Sequence, residues 1–175
     1  MEEILIKTKH VIVEDYNAEW KNEFERIKNE LLTVLSGKIN SIEHVGSTSV
    51  EGLSAKPIID IDVVIDKNFE EVKKALESFG YIYEGDLGIS GREAFGYKNK
   101  SHLMVHHLYI CNKDNEELYR HITFRDYLRQ HKEDRDRYSS IKKEMALKYP
   151  EDIDSYIEGK QSVILDIYKK CGLCE

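Results

Sequence analysis

Apolar residues recur along this chain in two rhythms. Trp20, Phe24, Ile27, Leu31 and Leu35 return every three or four positions, which is one apolar stripe of a helix. The pattern predicts a helix capped by Asn17, running to about Ser36 and stopped by Gly37. Residues 57–65 read instead as a buried strand, because apolar and β-branched side chains dominate them. Further strands are expected at about 39–45, at Tyr81-Ile82-Tyr83 and at 103–110, after a short strand-like start at Val11 to Val13. Asn68 and Glu71 have the spacing of a capping box and open a helix to about Phe79, ended by Gly80. Residues 85–101 hold four glycines and read as a mobile loop with a short strand at 94–98. The last third is helical, at about 115–130, 134–148 and 152–170, broken by Pro150. The expected fold is α+β, a mixed β-sheet flanked by helices with a helical C-terminal region. At 175 residues the chain suits one domain, with a core at about 10–112 and C-terminal helices at about 115–172.

Two carboxylates interrupt the apolar strand. Asp60 and Asp62 sit among Ile58, Ile59, Ile61, Val63, Val64 and Ile65, and an unpaired buried charge is costly. Strand alternation puts both on one face, about 7 Å apart. A divalent metal would satisfy both, since Mg²⁺ favours one or two carboxylates together with phosphate oxygens. The alternative is an edge strand whose polar face meets water. Upstream, Ile42 to Val45 reads as a strand running into Gly46-Ser47-Thr48-Ser49. Such a turn offers backbone N–H groups and hydroxyls to phosphates, although a lone glycine marks any tight turn. Lys56, just ahead of the aspartate strand, adds a cation suited to phosphate, or is simply solvated.

An apolar residue, Gly-Ser, a spacer of about a dozen residues and Asp-x-Asp on a strand together resemble the polymerase-beta-type nucleotidyltransferase pattern. The longer stretch from His44 to Ile61 resembles the signature of the GrpB family, which is placed in that superfamily. His121-Ile122-Thr123-Phe124-Arg125-Asp126-Tyr127-Leu128-Arg129 is similar to that family's second block, and Tyr156 and Lys160 to a weaker third. The matches span about residues 11 to 168. The resemblance implies a nucleotidyltransferase-like sheet with Mg²⁺ or Mn²⁺ held by Asp60 and Asp62. It implies transfer of a nucleoside monophosphate from a nucleoside triphosphate to a hydroxyl of a small-molecule or protein acceptor. Gly46, Ser47, Thr48 and Ser49 would hold the triphosphate, with Lys56 and Arg125 adding charge. Active members usually carry a third carboxylate on a neighbouring strand, which orients or deprotonates the attacking hydroxyl. The matching strand here, Leu103 to Ile110, has no acid and carries Tyr109 where the family's histidine is expected. A non-catalytic protein that binds a nucleotide or small ligand is therefore the alternative.

Parity on that strand nominates a substitute base. Met104, His106, Leu108 and Ile110 share one mainly apolar face, which continues the core marked by Ile59, Ile61, Val63 and Ile65. His107 and Tyr109 then emerge beside Asp60 and Asp62. A neutral imidazole there could accept a hydroxyl proton; the competing reading is a structural histidine. His121 and Arg125 lie one helical turn apart. The Arg125 fork suits phosphate, or an ion pair holding the helix to the sheet, and Lys160 has the same two readings. Zinc at His102, His106 and His107 is disfavoured, because adjacent strand residues face opposite ways and no cysteine or acid completes a set.

Bulk properties narrow the partners. A net charge of −7 argues against a general nucleic-acid surface, yet leaves room for a small nucleotide held by local cations. No apolar run approaches the ~20 residues of a membrane helix, and Met1 to Ile4 lack the start of a signal peptide. Three cysteines make no disulfide framework, which fits a reducing cytoplasm. Cys171 and Cys174 form a C-x-x-C after a helix rather than at its N-terminus, where the dipole would activate a thiol, and read as an incidental tail.

Overall fold

The computed structural model describes residues 9–174. Strands β1 (Ser41–Val45), β2 (Ile59–Ile65), β3 (Tyr81–Gly85), β4 (Arg92–Tyr97) and β5 (His106–Asn112) form one sheet in the order β1-β2-β5-β4-β3. The central pair β2–β5 is parallel and the other pairs are antiparallel, so the sheet is mixed. Helices α1 (Glu19–Leu35) and α2 (Phe69–Ser78) pack on one face. Helices α3 (Glu116–Gln130), α4 (Lys132–Lys148) and α5 (Ile153–Lys170) make the helical C-terminal region of an α+β fold.

Alternation along β2 decides what faces where. Ile59, Ile61, Val63 and Ile65 point into the main core with Leu108, Ile110 and Phe95, under the stripe Trp20, Phe24, Ile27, Leu31 and Leu35 of α1. Each such side chain gains about 1.5–3 kcal/mol on burial. A one-residue slip would drive both aspartates into that core, so the register is strongly specified. Asp60 pairs with His107 and Asp62 with Tyr109, which places all four on the opposite face. A second core of Val50, Leu53, Leu128, Tyr138 and Ile167 fastens the C-terminal helices to the loop after β1.

Several boundaries differ from expectation. The strand expected at Val11 to Val13 is an extended segment whose ladder is a single bridge, Glu14 to Ala55. The Val11 N–H donates to the Pro150 carbonyl at 2.7 Å instead of to a sheet. β4 begins at Arg92 rather than 94, and β5 at His106 rather than 103. Leu103 is held in a turn by Lys100 O at 3.0 Å, and the β2 partner only starts where Ile59 N meets Val105 O. The Asn68–Glu71 box does not form: the Asn68 amide donates to Lys38 O at 2.7 Å and to Glu71 Oε2 at 3.1 Å. Asn17 does cap, its Oδ1 accepting from Glu19 N at 2.9 Å. Asn115 and Asp152 cap α3 and α5 through their side-chain oxygens. Met1 to Ile4 lie outside the described residues, within which no helix is long and apolar enough to cross a membrane.

Candidate functional site

The turn after β1 is built around one glycine. Gly46 has φ 72°, a left-handed conformation that L side chains rarely adopt. A Cβ at this position would fall on the Asp60 carboxylate, so only glycine lets the turn lie against β2. The turn is then pinned by its own hydroxyls. Thr48 Oγ1 donates to Ile58 O at 3.0 Å, and His44 Nε2–H donates to Thr48 Oγ1 at 3.0 Å. His44 stacks on Phe24 with centroids 4.6 Å apart, and burial pushes its pKa down to about 4. Ser49 Oγ donates to Gly46 O at 2.5 Å. Thr48 and Ser49, expected on phosphate, therefore spend their hydroxyls on the turn, because buried hydroxyls take partners where they find them.

Each aspartate is met by an imidazole. His107 Nδ1 bonds Asp60 Oδ1 at 3.0 Å. Asp62 is fully buried; its Oδ2 accepts from His121 Nδ1 at 2.6 Å and its Oδ1 has no partner. Burial pushes the His121 pKa down, but the hydrogen bond and charge of Asp62 more than offset it, and the net direction is up. Arg125 donates to Glu43 Oε2 at 3.0 Å, to His44 O at 3.1 Å and to Asp126 Oδ1 at 2.8 Å. That latch ties α3 to β1 and occupies most of the fork expected on phosphate.

A cavity of about 280 Å³ opens over Asp60, His107 and His121, while the fully buried Asp62 does not line it. The turn and sheet contribute Gly46, Ser47, Asp60 and His107, while α3 contributes His121 and Arg125. Lys56, Lys142 and Lys160 line it as well; Ser49 does not. Lys142 is 2% exposed, its Nζ has no hydrogen-bond partner, and it lies 4.3 Å from the Tyr138 ring centroid. Lys56 and Lys160 lie 5.7 and 4.7 Å from the Tyr156 ring. Burial, then the charge of Lys56, pushes the Lys160 pKa down to about 8; burial and the other two lysines push Lys142 well below its ordinary value.

Among the described residues no group of three or more His, Cys, Asp or Glu could hold a metal ion. A metal shared with a ligand would take the free oxygens of Asp60 and Asp62. With one oxygen of each engaged by an imidazole, the Oδ1 of Asp62 is buried and unpartnered. Hydrogen bonds that fix a carboxylate are what a metal ligand ordinarily has behind it.

The family model described as "GrpB protein" matches residues 10–170. The chain belongs to the GrpB family. It is 35% identical over 151 residues to UPF0157 protein YqkA of Bacillus subtilis (strain 168), a match covering 85% of this chain and 43% of that protein. The chain thus spans less than half the length of YqkA. It is 32% identical over 163 residues to Glutamate-rich protein GrpB of Alkalihalophilus pseudofirmus, covering 90% of this chain and 93% of that one. The crystal structure of conserved protein GrpB from Enterococcus faecalis superposes with a TM-score of 0.80 at 35% identity, covering 91% of this chain and 96% of that chain.

Three features of this GrpB chain escape sequence reasoning. Lys142 sits in a helix so charged that nothing distinguishes it from exposed neighbours such as Lys143. Helical spacing puts His121 on a face with Arg125 but does not say that the face meets Asp62. Glu84 of β3 has a buried, unpartnered Oε1 and lines an adjoining crevice with His107 and Tyr109. Burial pushes its pKa up. The C-x-x-C cysteines are free, as is the buried Cys111.

Proposed function

We propose that this GrpB protein is a divalent-metal-dependent nucleotidyltransferase, moving a nucleoside monophosphate from a triphosphate to an acceptor hydroxyl. The observation that carries the reading is the contact of the Gly46 turn with the Asp60 carboxylate at the floor of a cation-lined cavity. Asp60 and Asp62 would hold Mg²⁺ or Mn²⁺ together with phosphate oxygens. When bound, the ion neutralises phosphate charge and stabilises in-line displacement. The chain's own residues supply the rest. Backbone N–H groups at Gly46 and Ser47 would meet the phosphates, and Lys56 would add charge. His107, its Nδ1–H donated to Asp60, presents Nε2 as the acceptor for the hydroxyl proton.

A second reading has a specific observation behind it. β5 carries no carboxylate and both aspartates already bond imidazoles, which favours a protein that binds a nucleotide or small ligand without turnover. Thermal melts with each nucleoside triphosphate, with and without Mg²⁺, test both readings. The expected result is stabilisation by a nucleoside triphosphate that metal increases, the metal-dependent part being lost in Asp60→Asn. Metal alone should do nothing, since two carboxylates are too few for an all-protein site. Pyrophosphate release would then establish transfer. Binding without release selects the second reading, and no shift with any triphosphate sinks both.

A further inference from the structure

Three amines in one cavity repel one another, and burial penalises each charge further. Lys142 is the extreme case, enclosed with no hydrogen-bond partner. An unsatisfied buried ammonium is costly enough that proteins rarely keep one without a use. Among the described residues Asp60 is the one carboxylate lining the cavity beside the three lysines, so the cluster holds more positive than negative charge. We infer that Lys56, Lys142 and Lys160 form a subsite for the terminal phosphates of a polyphosphate ligand, placed by α4, α5 and the loop before β2. The subsite deepens the nucleotide reading above, from which it borrows only the identity of the ligand's other half.

The geometry sets what the subsite takes. Tyr138 and Tyr156 carry the amines on their ring faces, which orients them but offers no anion. Three amines spread over two tyrosine rings need oxygens from more than one phosphate, so a pyrophosphate or triphosphate tail fits. A monophosphate supplies up to about two charges but reaches fewer of the amines. Lysine suits this role as a compact point charge for phosphate. The lowered pKa values of Lys142 and Lys160 agree with a site awaiting its counter-charge.

The test is calorimetric binding of inorganic tripolyphosphate, a nucleoside triphosphate with Mg²⁺ and the corresponding monophosphate. The proteins are the wild type, Lys142→Met, Lys160→Met and the control Lys143→Met, whose lysine pairs with Asp15 outside the cavity. The wild type should bind tripolyphosphate and the triphosphate. Each cavity variant should lose about tenfold or more in affinity for both, the worth of a charge-assisted hydrogen bond. Monophosphate binding should change little, and the control should match the wild type. Lys142→Met should also melt higher than the wild type when free, which a merely structural lysine would not do. Unchanged tripolyphosphate affinity in both cavity variants overturns the subsite, even where metal-dependent triphosphate binding survives. No tripolyphosphate binding by the wild type overturns it as well. Lysine-dependent tripolyphosphate binding to which a nucleoside adds nothing upholds the subsite while the nucleotide reading fails.

Discussion

A methyl group at position 46 would land on the Asp60 carboxylate, and a φ of 72° would strain the backbone beneath it. Gly46→Ala should therefore cost about 1–3 kcal/mol for the backbone conformation, with a further penalty for displacing Asp60. Urea melts measure the first effect, and the nucleotide-dependent thermal shift, expected to vanish, measures the second. A variant with a wild-type midpoint and a wild-type ligand response would show that the turn does not press on the carboxylate. Gly46, Asp60 and Asp62 are legible in the sequence because each breaks the rule of its surroundings: a glycine between strand and hydroxyls, and two acids in an apolar run. Parity nominated His107 for the same face, which is where the β2–β5 register places it. Lys142 breaks no local rule. A lysine in a helix rich in lysine, glutamate and aspartate looks solvated, and only the tertiary packing of α4 against α5 encloses it.

The spacing of those two helices rests on another small residue. A Cβ on Gly159 of α5 would run into Sδ and Cγ of Met145 on α4. Alanine would favour the helix by about 1 kcal/mol, but overpacking costs about 1–3 kcal/mol. Gly159→Ala should thus lower the urea midpoint, and should lower it less in a Met145→Ala background, a coupling expected of touching residues. A more stable single variant would mean that the contact yields freely. Elements with a strong period were readable from sequence: the α1 stripe and its Asn17 cap lie where periodicity puts them. Elements that depend on a partner were not. β5 starts where β2 offers a ladder, at His106, and the apolar pair Leu103-Met104 gave no hint of that limit. Asn68 and Glu71 have capping-box spacing, but Lys38 O, 30 positions earlier, competes for the amide.

At the scale of the whole molecule, the cavity joins two halves that each hold part of the chemistry. The sheet brings Asp60 and His107, and the C-terminal helices bring His121, Lys142 and Lys160. The union imposes two opposite pH dependences. Lys160 is held at about 8 in the folded chain against about 10.4 for a free lysine. Between those values the unfolded chain binds more protons, so folding stability rises with pH across the window. The penalty of the charged lysine is complete below pH 8 and is relieved as pH climbs toward 10.4. Polyphosphate affinity runs the other way, weakening as pH rises through 8 and Lys160 loses its charge. Other groups face the same space: Lys56 and Asp60 from the β2 side, His107 from β5, His121 and Arg125 from α3, and Tyr138, Lys142 and Tyr156 from α4 and α5. The informative quantity is therefore the difference between wild type and Lys160→Met, measured from pH 7 to 10. Urea midpoints should converge as pH rises, the wild type gaining on the variant. Tripolyphosphate affinities should converge too, this time because the wild type declines. Parallel curves in both measurements would mean that Lys160 titrates as an ordinary exposed lysine and that the helices bring no coupled charge to the cavity.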